Sequence, residues 1–375
     1  MRRGPGVRRQ GGKGMMGWTV PSLAGWAVAA TVGSAAAIAG ASWAPGTAAA
    51  PGPVVAPAVA APGGGPAGRP SAAPAAGGSL VTAAGHPRAV LVVGVTLHPY
   101  YSWTRNIVGN LPGFEVRPIL PGEIDAGDYQ PRPEDIRKLA DLDAIVVNGI
   151  GHDDFIFPML RASGNRRVVI IRPNDATPQI RSAHGTAVNS HTFISFTNAV
   201  QQTYAIERAL AALRPDSAAA LLANAEAYAR RLRLIKARAA TRLAGARITR
   251  VVTVHDGYGY LLQEFGLEVA GVVQPAHGLT PSAAELRDMV QLLRREHIPV
   301  VFSEETFPPQ LLAVLRDEAG VRVYTISHIA SGAYTAGKFE QEMQKNVDTM
   351  IEALVTAPAA AAPSAARSSG TPPHG

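Results

Sequence analysis

Short runs rich in Val, Ile and Leu alternate with longer segments of helical periodicity across the middle of the chain. This alternation is typical of βα units and predicts a mainly parallel sheet. Two such series occur. The first predicts strands at 89–96, 115–120, 144–147 and 167–171, and the second predicts strands at 248–254, 267–273, 299–302 and 321–326.

Between the two series lies a stretch, 215–245, that is nearly free of Gly and Pro and rich in Ala, Leu and Arg, with Asp216 as an N-cap. At about 1.5 Å per residue it predicts one helix of roughly 45 Å. We therefore predict an α/β fold with two doubly wound lobes, 88–214 and 246–356, joined by one long helix. A single rigid helix leaves the cleft between the lobes little hinge freedom.

The two ends of the chain differ from this pattern. Residues 1–50 have a basic start, an apolar stretch at 23–41 and small residues at 47–50, which indicates an export signal that is either cleaved or kept as a membrane anchor. Residues 51–87 and 357–375 are dominated by small residues and Pro, which bury too little side chain to order themselves. We predict a disordered linker and a disordered tail.

Net charge and composition restrict the partners and the metal ligands that the chain can have. The net charge is +7, but the excess comes partly from the N-terminal cluster and from an Arg-rich helical stretch at 230–250, so we read it as targeting and a solvated helix face rather than a nucleic-acid surface. The chain has no cysteine, which excludes disulfides, thiolate ligands, a cysteine nucleophile and a lipid-modified cysteine. A metal site would need His, Asp and Glu.

Five of the ten histidines follow predicted strands, at the carboxyl edge where open parallel sheets bind ligands. A lone loop histidine is usually a surface or capping residue, but these come from both lobes. Three or four imidazole or carboxylate groups form a normal zinc environment. The candidate metal ligands are His98, His152, His191, His255 and His328.

The other titratable residues are weaker candidates. His86 and His374 lie in the predicted disordered ends, His297 precedes its strand at the wrong edge, and His184 and His277 lie in loops. Some carboxylates in strand-end loops are expected to orient imidazoles, and most to be solvated. These carboxylates are Asp125, Asp128, Asp153, Asp154, Asp256, Glu304 and Glu305.

Several segments resemble, in order, the landmarks of one family. The matching segments are 128–136 to His-Asp-Tyr-Glu-Pro-x-Pro-x-Asp, 148–149 to an Asn-Gly turn, 189–191 to an Asn-Pro-His ligand, 255–260 to His-Asp-Ala-Phe-x-Tyr, and more weakly 302–304 and 332–334. With the long central helix, residues 89–354 resemble the solute-binding proteins of ABC importers for zinc and manganese.

Members of that family typically hold the metal with three His and one carboxylate. The resemblance carries ligand roles onto His191 and His255, whereas the family's first His falls on Gly127. The family's carboxylate falls at or beside Ser327 and His328, which predicts an imidazole there. The His-rich acidic loop of many zinc receptors is also missing.

We hypothesise that His152, or else His98, replaces the absent first ligand beside His191, His255 and His328. Such an all-nitrogen set favours zinc over manganese, because manganese prefers carboxylate oxygen. The loss at Gly127 also leaves open a weakened or repurposed site.

The resemblance implies an exported, monomeric receptor that captures a divalent transition metal, Zn²⁺ before Mn²⁺, and delivers it to a permease with its ATPase. It implies no enzymatic activity and no nucleic-acid partner. One alternative is an exported relative that has lost its metal. Another is a zinc metallohydrolase, since zinc with an open position activates water. The sequence has no His-Glu-x-x-His, Gly-x-Ser-x-Gly or glycine-rich phosphate loop to support it.

Overall fold

A computed structural model of the chain describes residues 89–356 apart from 184, 186, 275 and 277. This part lies within one compact unit. The predicted signal or anchor, linker and tail fall outside the described residues. So do His86, His184, His277 and His374.

The first lobe is a four-stranded parallel sheet flanked by helices. Its strands are β1 Leu91–Val95, β2 Phe114–Pro118, β3 Ala144–Val146 and β4 Val169–Ile171, in the order β2-β1-β3-β4. Its helices are α1 His98–Val108, α2 Pro133–Arg137, α3 Ile156–Ser163 and α4 Phe196–Leu213. Because β1 lies inside the sheet and is covered by helices, all five of its residues are buried.

The second lobe repeats this architecture. Its strands are β5 Arg250–Thr253, β6 Glu268–Val272, β7 Val300–Ser303 and β8 Arg322–Thr325, in the order β6-β5-β7-β8. Its helices are α6 Gly259–Gln263, α7 Ala283–Arg295, α8 Pro309–Ala319 and α9 Lys338–Ile351. All eight predicted strands overlap an observed strand, and the predicted fold class is confirmed.

The long helix α5, Ala218–Leu243, connects the two sheets. It begins after a 3₁₀ turn, Pro215–Ser217, so its 26 residues give a length of about 39 Å rather than the predicted 45 Å. The N-cap of α5 is Ser217 and not the predicted Asp216, which lies within the 3₁₀ turn. Among the described residues, none of the helices combines the length and apolar composition needed to span a membrane.

One apolar core runs through both lobes. The buried face of α5, including Leu221, Tyr228 and Leu232, belongs to the same cluster as Val93 of the first sheet and Val251 of the second. A smaller cluster fills the space beneath α7 and α8. Moving the lobes apart would expose buried apolar surface to water, at a free-energy cost of about 25 cal/mol for each Å². The shared core therefore opposes a wide hinge motion.

A carboxylate from the second lobe caps a helix of the first. Ser195 is the N-cap of α4, and its hydroxyl donates to Glu264 Oε1 at 2.7 Å. The backbone N–H groups of Phe196 and Thr197 donate to the same carboxylate at 3.1 and 2.6 Å. A negative charge is favourable at the positive end of the helix dipole. Glu264 therefore fixes the start of α4 and the loop that leads into it.

We expect Glu264→Gln to destabilise the protein by about 1–3 kcal/mol, because three donors at the helix start lose a charged acceptor. The Glu264 side chain is only 9% exposed. Urea unfolding of the purified chain measures the change. The matched control is Glu268→Gln, whose side chain is 62% exposed and pairs with Arg250. Equal stability of the two variants would contradict the capping role.

Candidate metal centre

Three buried imidazoles meet where the strands of the two sheets end. His191 lies in the loop before α4, His255 comes two residues after β5, and His328 three residues after β8. His255 Nε2 is 3.0 Å from His191 Nε2. The ring centroid of His328 is 5.0 Å from that of His191 and 4.8 Å from that of His255. The first lobe thus supplies one imidazole and the second lobe two.

The spacing of these nitrogens suits a metal ion. One ring nitrogen from each of the three histidines lies within 4.8 Å of the others. With zinc–nitrogen bonds of about 2.0–2.1 Å, two ligands of a tetrahedral ion stand roughly 3.4 Å apart. Small movements of the rings would therefore bring all three nitrogens onto one ion.

The outward nitrogens of two of these rings have side-chain partners. His191 Nδ1 is 3.0 Å from Asn189 Oδ1, which also accepts the His191 backbone N–H at 2.9 Å. His328 Nδ1 is 2.9 Å from Asp125 Oδ2. A ring that donates through Nδ1 keeps a lone pair on Nε2, which is the arrangement a metal ligand needs. Asn189 and Asp125 therefore orient these imidazoles.

Position 257, two residues after His255, requires a glycine. A β-carbon on Gly257 would lie 2.7 Å from His255 Cδ2 and 3.1 Å from His328 Cδ2. Both distances are shorter than ordinary carbon contacts. The missing side chain leaves room for two imidazoles of the second lobe to approach each other.

Asp125 connects the lobes electrostatically. It caps the 3₁₀ turn Ala126–Asp128 of the first lobe and contacts His328 of the second. Burial alone would raise the pKa of Asp125, but the neighbouring His328 and His152 hold it well below its usual range. Burial likewise opposes charge on His328, yet Asp125 and, more weakly, Glu304 keep the pKa of His328 above its ordinary value. The two groups are placed to form an ion pair, with His328 Nδ1 2.9 Å from Asp125 Oδ2.

His152 lies beside the three imidazoles but outside their group. Its ring centroid is 5.0 Å from that of His191 and 6.0 Å from that of His328, and its Nε2 is 3.4 Å from Asp125 Oδ1. The next residue, Asp153, accepts the backbone N–H groups of Asn148 and Gly149 at 2.7 and 2.8 Å. These bonds fix the loop that carries His152 at the edge of the centre.

The structure places His98 differently from the other candidates. It is the first residue of α1, its Nε2 donates to the Gly122 carbonyl at 3.0 Å, and its ring stacks on Tyr334 at 3.8 Å. Burial lowers the pKa of His98 to about 4. His98 thus sits as a neutral ring between two loops, outside the group of three imidazoles.

Two of the other candidate carboxylates have partners outside the group of imidazoles. Asp256 accepts the Ser182 hydroxyl at 2.6 Å and the Ala183 N–H at 2.9 Å, which ties the lobes beside the site. Asp154 accepts the Gly151 N–H at 3.3 Å. Asn189 was not among the residues predicted to act at the site. Its signal is local, since an Asn two residues before His191 can accept both the backbone and the ring N–H of that histidine.

Comparison with known proteins is consistent with this geometry. The family model described as "Zinc-uptake complex component A periplasmic" matches residues 93–353. The solved structure of the solute-binding protein FpvC from Pseudomonas aeruginosa in complex with Ni²⁺ is 43% identical, with a TM-score of 0.67, and covers 72% of this chain and 98% of that one. Another FpvC structure is a complex with Mn²⁺.

More distant relatives include a solved structure of the same fold and a curated sequence. A solved structure of ZnuA is 20% identical, with a TM-score of 0.62, and covers 70% of this chain and 99% of that one. The zinc-binding protein AdcA of Streptococcus pyogenes serotype M3 is 22% identical over 287 residues, which is 69% of this chain. The chain spans about half the length of such AdcA proteins, 55% in this case.

We expect the metal-free protein to lose stability as the pH rises through the raised pKa of His328. The unfolded value is about 6.5, so the folded state holds a proton that the unfolded state releases above that pH. The stabilisation is fully present below about pH 6.5 and disappears above the folded pKa. Urea unfolding of chelator-treated protein across this range measures it.

His328→Gln should remove this part of the pH dependence, because the glutamine does not titrate. The control is His297→Asn, which changes an exposed histidine in the turn between α7 and β7. If wild type and His328→Gln show the same pH profile, the His328–Asp125 ion pair does not stabilise the folded state.

Proposed function

Because the chain belongs to the family of periplasmic zinc-uptake components, we propose that it is the solute-binding protein of an ABC importer and captures one divalent transition metal ion in its cleft. One observation carries the proposal. His191 of the first lobe and His255 and His328 of the second are buried, and their ring nitrogens lie within 4.8 Å of one another. Imidazole nitrogens from both lobes therefore face a common point, which is the arrangement that a shared metal ion requires.

We propose His191, His255 and His328 as ligands and His152 as the fourth. The ring of His152 already lies next to two of them, and its 3.4 Å contact with Asp125 is long enough to yield to a metal bond. Four side-chain donors would fill a tetrahedral shell and leave no position for a reactive water. This arrangement supports capture rather than hydrolysis. His98 is the less favoured fourth ligand, because its ring is held by Gly122 and Tyr334.

Zinc is the cargo that we propose, ahead of manganese. Imidazole nitrogen binds late first-row metals more strongly than manganese, whose affinity is lowest in the divalent series. The names of the AdcA relatives describe zinc binding, whereas FpvC forms complexes with Ni²⁺ and Mn²⁺. The donor set of this chain is therefore the stronger argument for zinc.

The proposed place of action is outside the cytoplasm. The family description is periplasmic, and the AdcA of Streptococcus pneumoniae is named a zinc-binding lipoprotein. We propose that the loaded protein hands its metal to a membrane permease powered by an ATPase. Release then requires the imidazoles of the two lobes to separate, because one lobe alone supplies too few ligands to hold the ion tightly.

The purified full chain should retain close to one equivalent of metal by elemental analysis after dialysis. His191→Ala and His255→Ala should each weaken zinc binding by more than the roughly 10–100-fold that outer-shell changes cost, because a direct ligand is lost. His297→Asn is the control for removing a histidine elsewhere. Wild-type protein without metal, or His191→Ala and His255→Ala with unchanged affinity, would refute the proposal. Turnover of ester, peptide or phosphate substrates by the zinc form would favour the metallohydrolase.

Offered equimolar zinc and manganese, the metal-free protein should load with zinc. Imidazole ligands bind zinc much more tightly than they bind manganese. Elemental analysis after gel filtration reads the outcome, and nickel offered against manganese provides a parallel test of the same donor set. Preferential loading with manganese would contradict an all-nitrogen ligand set.

A further inference from the structure

We propose that Asp125 is a positioning residue of the metal centre, which aims His328 at the ion and supplies negative charge next to the imidazole ligands. The inference rests on the proposed function and deepens it. Its basis is one carboxylate that reaches His328 at 2.9 Å and His152 at 3.4 Å. Asp125 thereby joins a histidine of each lobe.

The contact with His328 decides which nitrogen can bind metal. An acceptor beside Nδ1 makes that nitrogen the donor and leaves the lone pair on Nε2. The His328 ring then faces His191 and His255, whose ring centroids lie at 5.0 and 4.8 Å. The carboxylate thereby favours one tautomer and one orientation of the His328 ring.

The charge of Asp125 matters because neutral imidazoles do not offset the charge of a divalent ion. A buried charge without a counter-charge is costly. Asp125 is 17% exposed and belongs to the wall of the site rather than to the solvent. A carboxylate placed one hydrogen bond away from the metal supplies part of the charge that a carboxylate ligand would bring directly.

The backbone around Asp125 is built to hold this position. Its Oδ1 accepts the Gly127 N–H at 2.8 Å, which fixes the side chain on the 3₁₀ turn. Three residues earlier, the Gly122 carbonyl accepts the Gly332 N–H at 2.8 Å, so the Asp125 loop is bonded to the segment that follows His328. The approach is close: a β-carbon on Gly122 would lie 2.4 Å from the Gly332 oxygen. The carboxylate and the imidazole are thus held as parts of one joined pair of loops.

The experiment compares Asp125→Asn with Asp154→Asn in the full-length protein. Asn keeps the size of Asp125 and removes its charge, whereas Asp154 is a nearby carboxylate that accepts a loop N–H. Zinc affinity is measured by competition with a chromophoric chelator, and the ligand set by the visible absorption of the Co²⁺ form. Asp125→Asn should weaken zinc binding by about 10–100-fold with unchanged cobalt bands, and Asp154→Asn should match wild type.

A second pair of variants tests whether Asp125 acts through His328. In a His328→Ala background, Asp125→Asn should cause a smaller further loss of zinc affinity than in wild type, because its main partner is already gone. Equal losses in the two backgrounds would overturn the positioning role. Shifted cobalt bands in Asp125→Asn would also overturn it, because the carboxylate would then be a direct ligand.

The failures of the two proposals are distinguishable. If wild-type protein binds no zinc or cobalt, the receptor function falls and the role of Asp125 falls with it. If wild type binds zinc and Asp125→Asn binds it equally well, only the positioning role is refuted. Asp125→Asn is nearly isosteric, and its circular dichroism spectrum reports whether it is folded.

Discussion

The centre depends on one geometric constraint: two separate sheets must present the carboxyl ends of their strands to the same cleft. Only then do His191 and His255, which are 64 positions apart in sequence, bring their Nε2 atoms to 3.0 Å. The long helix α5 and the core that continues through both lobes maintain this arrangement. A metal–nitrogen bond is about 2 Å long. Small changes in the relative placement of the sheets would therefore move the imidazoles out of bonding distance of a shared ion.

The continuous core also determines which parts of the molecule are free to respond to an ion. The apolar contacts of α5 extend into both sheets, so the energetic cost of moving one lobe as a body is large. The loops at the strand ends hold the histidines and their partners. The candidate ligands are thus side chains of loops that a shared core holds in place.

The sequence predicted the frame better than the details of the site. Apolar runs located all eight strands, and the rule that ligands bind at the carboxyl edge selected His191, His255 and His328. That rule identifies an edge but not the direction of a side chain. His98 satisfies this rule equally well, yet its ring stacks on Tyr334. Tyr334 lies 236 positions later in the chain, so no local sequence pattern predicts the contact. The bridge from Asp125 to His328 is equally a product of the tertiary fold.

The shared strand order of the two sheets gives the molecule an internal equivalence. In this order the segment after β1 corresponds to the segment after β5, and the segment after β4 to the segment after β8. His98 and His255 therefore follow equivalent strands, and so do His191 and His328. Three of these four imidazoles lie together at the metal centre. The fourth, His98, instead contacts the loop of Gly122. Two sheets of the same strand order thus form a site that is not symmetric.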